Sequence, residues 1–212
     1  MTTSGTIQRF SLDPPVVSVR TILRLQKYRD IAAVPRRIRD SAEKAVREAS
    51  DLTESQVLLW RGPLSRVEAD GTIALGGGQC FHSPTFARLL TGSTELCALL
   101  LTVGEGIERR AGQLVDDGRL LEGLMMDTCG WAMVSLSLRA ARRKVAETEK
   151  SRNCRFTSAS APGYSGWPLV EQKTLFELFA GEPLPISLDD WQTMLPRKSI
   201  SSVFGVIREP LP

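Results

Sequence analysis

Apolar and polar residues recur along this chain with two different periods, which predict helices and strands in turn. Apolar side chains three and four positions apart predict helices over residues 16–28, 34–52, 107–115, 120–150 and 170–179. A serine followed directly by a proline predicts the start of a further helix over residues 83–90. The middle of the helix at 120–150 is apolar on all sides, which is typical of a buried central helix.

Short β-prone runs bounded by glycine and proline predict the strands. They cover residues 56–60, 72–75, 96–103 and 201–207, while residues 186–194 fit either a short helix or a strand. The run at 96–103 is apolar throughout, which indicates a central strand. Strands mixed with helical pairs predict an α+β fold, in which a mixed, largely antiparallel sheet packs against helices.

Length and composition predict one compact domain. The 212 residues are 42% apolar and 24% charged, which is typical of a globular chain. We expect a helical segment over residues 1–54 and an α+β core over residues 55–212. Residues 1–13 are polar, and no apolar run approaches the ~18–20 residues of a membrane-spanning helix, so we expect a cytoplasmic protein.

Charge and cysteine patterns narrow the classes of function. The net charge of +3 is mild, and basic clusters at 35–39 and 139–144 alternate with apolar residues at helical spacing. They indicate solvated helix faces rather than a nucleic-acid interface, although docking of an acidic partner stays open. The four cysteines are widely spaced, which favours free thiols. Cys80 and His82 offer two metal ligands without an obvious third, so no metal site is predicted.

Two further positions allow a structural and a functional interpretation. Gly104 and Gly106 join a strand to a helix, but a phosphate-binding loop needs more glycines than this, and a plain turn is favoured. Asp127 lies in the apolar part of the longest helix, where a carboxylate must be paired. A capping or bridging role is favoured over a ligand contact. Gly130 leaves room there for close approach of another group.

The loop at residues 161–167 is the strongest candidate for chemistry. Pro162 fixes one backbone dihedral, while Gly163 and Gly166 permit positive φ. Such a loop lets backbone groups approach a flat or extended ligand, with Tyr164 as the side chain that touches it. A helix begins near Pro168, and its outward amides would meet the same ligand. A turn that only connects two elements is the alternative.

This loop and the segments after it resemble the activation domain of cobalamin-dependent methionine synthase. In that family a Gly-Tyr loop, a short helix with Glu and Lys, and a Trp/Met-x-Pro-x-x-Ser-x-Ser segment follow one another. Here the corresponding residues are 161–179, 186–188 and 194–205. Weaker matches lie at 75–79, 101–107 and 126–131. The resemblance spans residues 55–207 and is most specific in its last third.

The resemblance implies a stand-alone reactivation component of a split methionine synthase or a related corrinoid methyltransferase, in methionine biosynthesis. Such a component binds S-adenosylmethionine and supports reductive remethylation of cob(II)alamin (vitamin B12) on a separate corrinoid protein. A flavodoxin-like donor supplies the electron, and no catalytic side chain, nucleic acid or membrane is required. The alternative is a non-enzymatic module that docks on or caps a corrinoid protein without binding S-adenosylmethionine. An unrelated enzyme on this fold is a third possibility.

The family's site residues carry over only in part. Ala161, Gly163 and Tyr164 match the loop beside S-adenosylmethionine and the corrin, and Ser199 matches a supporting serine. The family's loop arginine is replaced here by Ala159, with Arg155 nearest, and its acidic ligand falls near Trp131, with Asp127 or Glu171 as substitutes. The expected ligand-binding set is therefore Ala161, Pro162, Gly163, Tyr164, Arg155, Asp127 and Ser199.

Overall fold

The computed structural model describes residues 5–149, 153–164 and 166–208, and within them a sheet of seven antiparallel strands forms the centre. The strands of the chain are β1 Thr6–Leu12, β2 Ser55–Val67, β3 Thr72–Leu75, β4 Cys80–His82, β5 Glu95–Thr102, β6 Cys154–Phe156, β7 Ser187–Leu188, β8 Met194–Leu195 and β9 Ser199–Arg208. The sheet order is β4-β3-β2-β5-β9-β6, with β1 also paired to β2, while β7 and β8 form a separate hairpin.

Helices surround this sheet. They are α1 Val19–Leu25, α2 Arg36–Asp51, α3 Pro84–Leu89, α4 Gly106–Asp116, α5 Leu120–Glu149 and α6 Gln172–Glu177, the last preceded by a 3₁₀ turn at Leu169–Glu171. The hydroxyls of Ser18 and Ser83 cap α1 and α3 by accepting hydrogen bonds from backbone amides three residues later. Since Ser18 is the cap, α1 begins later than the pattern at 16–28 predicts.

The central strand β5 has apolar side chains on both faces, so the sheet divides two cores. Leu99 and Leu101 pack with buried residues of α1, α2, α4 and α5. Leu96 and Leu100 pack on the other face with α3, α6 and Trp167. The α+β class and the largely antiparallel sheet predicted from the sequence are confirmed.

The sequence did not predict β1, β4 or β6, and it placed the end of β2 too early. β1 lies outside β2 and is mostly exposed or half-buried, so it lacks a clear apolar alternation. β4 and β6 have three residues each. In β2 the chain continues through Pro63 and then shifts register between Leu64 and Arg66, an irregularity at which a proline is tolerated in a strand.

In the described part of the chain, none of the helices is both long and apolar enough to cross a membrane.

Candidate ligand-binding cleft

The loop at 161–167 folds into two consecutive turns that expose its tyrosine. Tyr164 N–H donates to the Ala161 carbonyl at 3.1 Å, and Trp167 N–H donates to the Tyr164 carbonyl at 2.8 Å. Gly163 has a φ of 91°, a left-handed conformation that favours glycine, and its N–H donates to the Trp167 carbonyl at 2.8 Å. Tyr164 is left 60% exposed while its backbone is held on both sides.

Trp167 fixes this loop to the core. Its buried ring stacks on Phe86 at 4.6 Å between centroids and meets the edge of Phe81 at 5.3 Å. Its Nε1–H donates to Glu171 at 2.5 Å, and the same carboxylate accepts from the backbone N–H of His82 at 3.0 Å. Glu171 is thus occupied in joining Trp167, at the end of the loop, to β4.

The start of the loop is bound to the sheet by a short antiparallel bridge. Ser160 and Val203 of β9 exchange backbone hydrogen bonds at 2.9 and 2.7 Å. This bridge holds the loop beside β9 and opposite the second half of α5, leaving an open cleft between the three elements.

We call this the Tyr164 cleft; its volume is about 310 Å³. Its lining residues are Leu138 and Arg142 from α5, Ala159, Ser160, Ala161 and Tyr164 from the loop, and Ile200, Ser201 and Ser202 from β9. The volume falls at the lower end of the range of small-molecule sites, about 300–1,000 Å³. Apolar walls with hydroxyl groups along one side suit a ligand that has both flat apolar and polar parts.

Arg142 is the charged group of the Tyr164 cleft. Its guanidinium lies 5.2 Å from the ring centroid of Phe204, and Nη2 donates to the Thr157 carbonyl at a long 3.4 Å. Partial burial lowers the pKa of Arg142, although a guanidinium keeps its charge at neutral pH. No carboxylate is among the lining residues, so the cleft carries net positive charge.

Asp127, one of the expected ligand residues, lies elsewhere and is paired. Lys198 Nζ donates to its Oδ1 at 2.7 Å, and the same ammonium lies 5.0 Å from the ring centroid of Trp131. Gly130 provides the room for this lysine, because a Cβ there would come within 2.7 Å of Lys198 Cε. The bridging interpretation of Asp127 is thus the one that the geometry supports.

The structure brings Ala161 and Tyr164 together in the cleft, with Pro162 and Gly163 between them in the same loop. Two other expected residues do not line it. Arg155 is exposed on the edge strand β6. Ser199 donates from Oγ to the Pro196 carbonyl at 2.6 Å, a local bond within the segment before β9.

A larger cleft of about 630 Å³ lies at the carboxyl end of β5, beside the Gly104 turn. It contains none of the expected loop residues. Two of its glutamates are engaged: Glu105 pairs with Arg109, and Glu108 accepts from the backbone N–H of Arg197 at 2.8 Å. We therefore take the Tyr164 cleft, where the loop, α5 and β9 meet, as the candidate site despite its smaller volume.

Comparison with solved structures identifies the architecture. The chain superimposes with a TM-score of 0.68 on a solved structure described as the MetH reactivation domain bound to AdoHcy, covering 98% of this chain and 80% of that one at 12% identity. This chain has the reactivation-domain fold. The resemblance found in the loop and the segments after it is therefore confirmed for the fold. No family model matches the sequence, and no curated protein matches it.

The sequence missed part of the cleft that this reactivation-domain fold assembles. Leu138 and Arg142 lie one helical turn apart on α5 and both face the cleft, but their spacing looked like an ordinary amphipathic helix. Ser201 and Ser202 belong to a strand whose neighbours are buried and apolar. Ser201 is the second serine of the Met-x-Pro-x-x-Ser-x-Ser segment, so the resemblance pointed to this part of β9 without assigning Ser201 or Ser202 to the cleft.

Proposed function

We propose that this chain is a stand-alone reactivation component that binds S-adenosylmethionine in the Tyr164 cleft and presents it to a separate corrinoid protein. The observation that carries the proposal is the position of Ala161 and Tyr164: both line an open cleft on a reactivation-domain fold. The solved domain with this fold is described as bound to AdoHcy, the demethylated form of S-adenosylmethionine.

The residues of the cleft fit such a ligand. Leu138 and Ile200 give an apolar surface for a flat base, and Ser160 and Ser202 bring hydroxyl groups to the lining that suit a ribose. The Ser201 hydroxyl is already engaged, because it donates to Gln172 at 3.3 Å. The Tyr164 ring stands at the exposed side of the cleft, where it can contact the ligand and the partner's corrin together.

The chemistry asks the protein to align and shield rather than to react. When bound, S-adenosylmethionine supplies a methyl group to the partner's cobalt after a flavodoxin-like donor has added one electron, and S-adenosylhomocysteine remains. The chain's part is to hold the sulfonium in line and exclude water, for which no side-chain nucleophile is needed. In this proposal the protein is the methyltransferase component of a cytoplasmic corrinoid system, with neither nucleic acid nor membrane as a partner.

Calorimetric titration with S-adenosylhomocysteine tests the proposal directly. We expect saturable binding at one site, and we expect Tyr164→Ala to weaken it about 3- to 10-fold through loss of the ring contact. Tyr164→Phe should bind like the wild type, since it keeps the ring that makes the proposed contact. Trp191→Ala is the matched control, because Trp191 is also an exposed aromatic residue but lies outside the cleft. Folded protein that shows no saturable binding would overturn the S-adenosylmethionine role.

A docking module without S-adenosylmethionine is the second candidate. Ala159 occupies the position of the family's arginine, and the cleft has no lining carboxylate to pair with a ligand ammonium. Under this alternative a cobalamin-loaded partner binds equally well with and without S-adenosylmethionine. Under the reactivation proposal, the affinity for the cobalamin-loaded partner differs between titrations with and without S-adenosylmethionine.

A further inference from the structure

Arg142 enters the Tyr164 cleft from α5, on the opposite side from the loop. It lies one turn beyond Leu138, and both side chains line the cleft. The guanidinium lies over Phe204 of β9, and that ring is in turn packed edge-on against Phe156 of β6 at 5.2 Å. The ring of Phe204 and the Thr157 carbonyl thus place the guanidinium in the cleft in the absence of a ligand.

The hydrogen-bonding capacity of Arg142 is largely unused by the described residues. A guanidinium has five N–H donors, and the contact to the Thr157 carbonyl uses one of them at 3.4 Å. A partly buried cation with unused donors gains from an anion that replaces lost water. Since no carboxylate lines the cleft, the protein does not itself supply that anion there.

We propose that Arg142 binds the carboxylate of the amino-acid part of the ligand in the Tyr164 cleft. This inference rests on the proposed function, in which the ligand is an S-adenosyl amino acid whose one anionic group is a carboxylate. The planar guanidinium matches a carboxylate with two parallel hydrogen bonds. Ala159 stands where the family has its loop arginine, and in this proposal Arg142 brings a guanidinium to the cleft from the facing helix.

The test compares two ligands on four proteins. S-adenosylhomocysteine and its decarboxylated analogue, which keeps the amine but lacks the carboxylate, are titrated calorimetrically into the wild type, Arg142→Gln, Arg142→Lys and Arg143→Gln. We expect Arg142→Gln to weaken S-adenosylhomocysteine about 10- to 100-fold, as the loss of charge-assisted hydrogen bonds predicts. The decarboxylated analogue should bind the wild type and Arg142→Gln alike.

The other two variants serve as controls. Arg142→Lys keeps a cation over Phe204 but loses the bidentate fork, so its affinity should be intermediate. Arg143→Gln removes the same charge from an exposed neighbouring position outside the cleft and should bind like the wild type. Thermal melts verify that each protein is folded. If Arg142→Gln does not fold, Arg142→Lys with the two ligands decides.

Each contrary result has one meaning. Equal weakening of both ligands by Arg142→Gln would show that the side chain only shapes the cleft, and unchanged affinity for S-adenosylhomocysteine would show that it plays no part; either overturns the carboxylate role and leaves the proposed function standing. A folded wild type that binds neither ligand overturns the proposed function, and the role of Arg142 with it.

Discussion

Pairing inside the protein determines which charged side chains remain available to a ligand. Lys198 is buried, with 5% of its side chain exposed, and its ammonium is neutralised by Asp127, which is half exposed. The pair joins the buried helix α5 to the segment before β9, so it belongs to the scaffold. Arg142, by contrast, has no carboxylate beside it in the cleft.

Replacing Asp127 tests whether its pair with Lys198 stabilises the fold rather than binding a ligand. Asp127→Asn should lower the free energy of unfolding by about 1–2 kcal/mol, because it leaves the buried Lys198 without a counter-charge; exposure of Asp127 keeps the loss below that of a fully buried pair. Urea unfolding measures the change. The double variant Asp127→Asn with Lys198→Met should recover part of the loss, since no buried charge remains.

The affinity of Asp127→Asn for ligand shows whether Asp127 belongs to the binding site. The affinity for S-adenosylhomocysteine should be unchanged in Asp127→Asn, because Asp127 does not line the Tyr164 cleft. A folded variant whose binding is weakened tenfold would instead make Asp127 a ligand contact.

At the level of elements, the loop at 161–167 derives its order from its ends. Trp167 is buried in the core, and Ser160 is bonded to β9, so the turn between them is held without a contact from Tyr164 itself. The strain of a left-handed residue in the middle is carried by Gly163. The backbone of Tyr164 is therefore held before a ligand binds, which limits the backbone entropy lost on binding.

Replacing each of two glycines by alanine tests whether the left-handed backbone at Gly163 requires a glycine. Gly163→Ala should destabilise the protein by about 1 kcal/mol, because its φ of 91° is strained for a residue with a Cβ, and that Cβ would lie 3.2 Å from Leu169. Gly112→Ala should stabilise it by up to about 1 kcal/mol. Gly112 lies exposed inside α4, and a Cβ there meets nothing within 4 Å.

Urea denaturation of both variants measures the contrast, and S-adenosylhomocysteine titration adds a functional readout. We expect weaker binding for Gly163→Ala and unchanged binding for Gly112→Ala. Equal stability changes of the same sign would contradict a strained turn at Gly163.

Elements whose pattern is local could be predicted from the sequence, whereas contacts between distant elements could not. The capping serine before α3 and the apolar run of β5 each carry their own signal, and both elements lie where they were expected. The edge strand β1 depends on pairing with β2, and its half-buried residues give no clear period. The motif identified Ala161 and Tyr164, but Arg142 joins them only because the fold brings α5 alongside β9.

On the scale of the whole molecule, a carboxylate on the central strand links three strands of the sheet. Glu95 of β5 accepts hydrogen bonds from Arg61 of β2 and Arg208 of β9. Burial raises the pKa of Glu95, but the hydrogen bonds and positive charges of the two arginines together lower it more, so the pKa lies below its ordinary value. The end of β9 is thus attached to the sheet through a titratable group.

Acid should weaken this attachment in a defined direction. Because the pKa of Glu95 is lowered on folding, the folded protein binds fewer protons than the unfolded chain, so the stabilisation is present above the ordinary pKa of 4.5 and is lost as pH falls through the lowered value. Glu95→Gln should cost about 1–3 kcal/mol at neutral pH, since two charge-assisted hydrogen bonds lose their acceptor charge. The difference from the wild type should shrink as the pH falls below 4.5.

Urea unfolding of the wild type, Glu95→Gln and the control Glu182→Gln, measured from pH 7 to pH 3, decides the matter. Glu182 is exposed, so its variant should follow the wild-type curve. A Glu95→Gln deficit that stays constant across this range would mean that Glu95 acts through packing rather than charge. A deficit that vanishes in acid would show that the attachment of the carboxyl end of β9 to the sheet depends on an ionised Glu95.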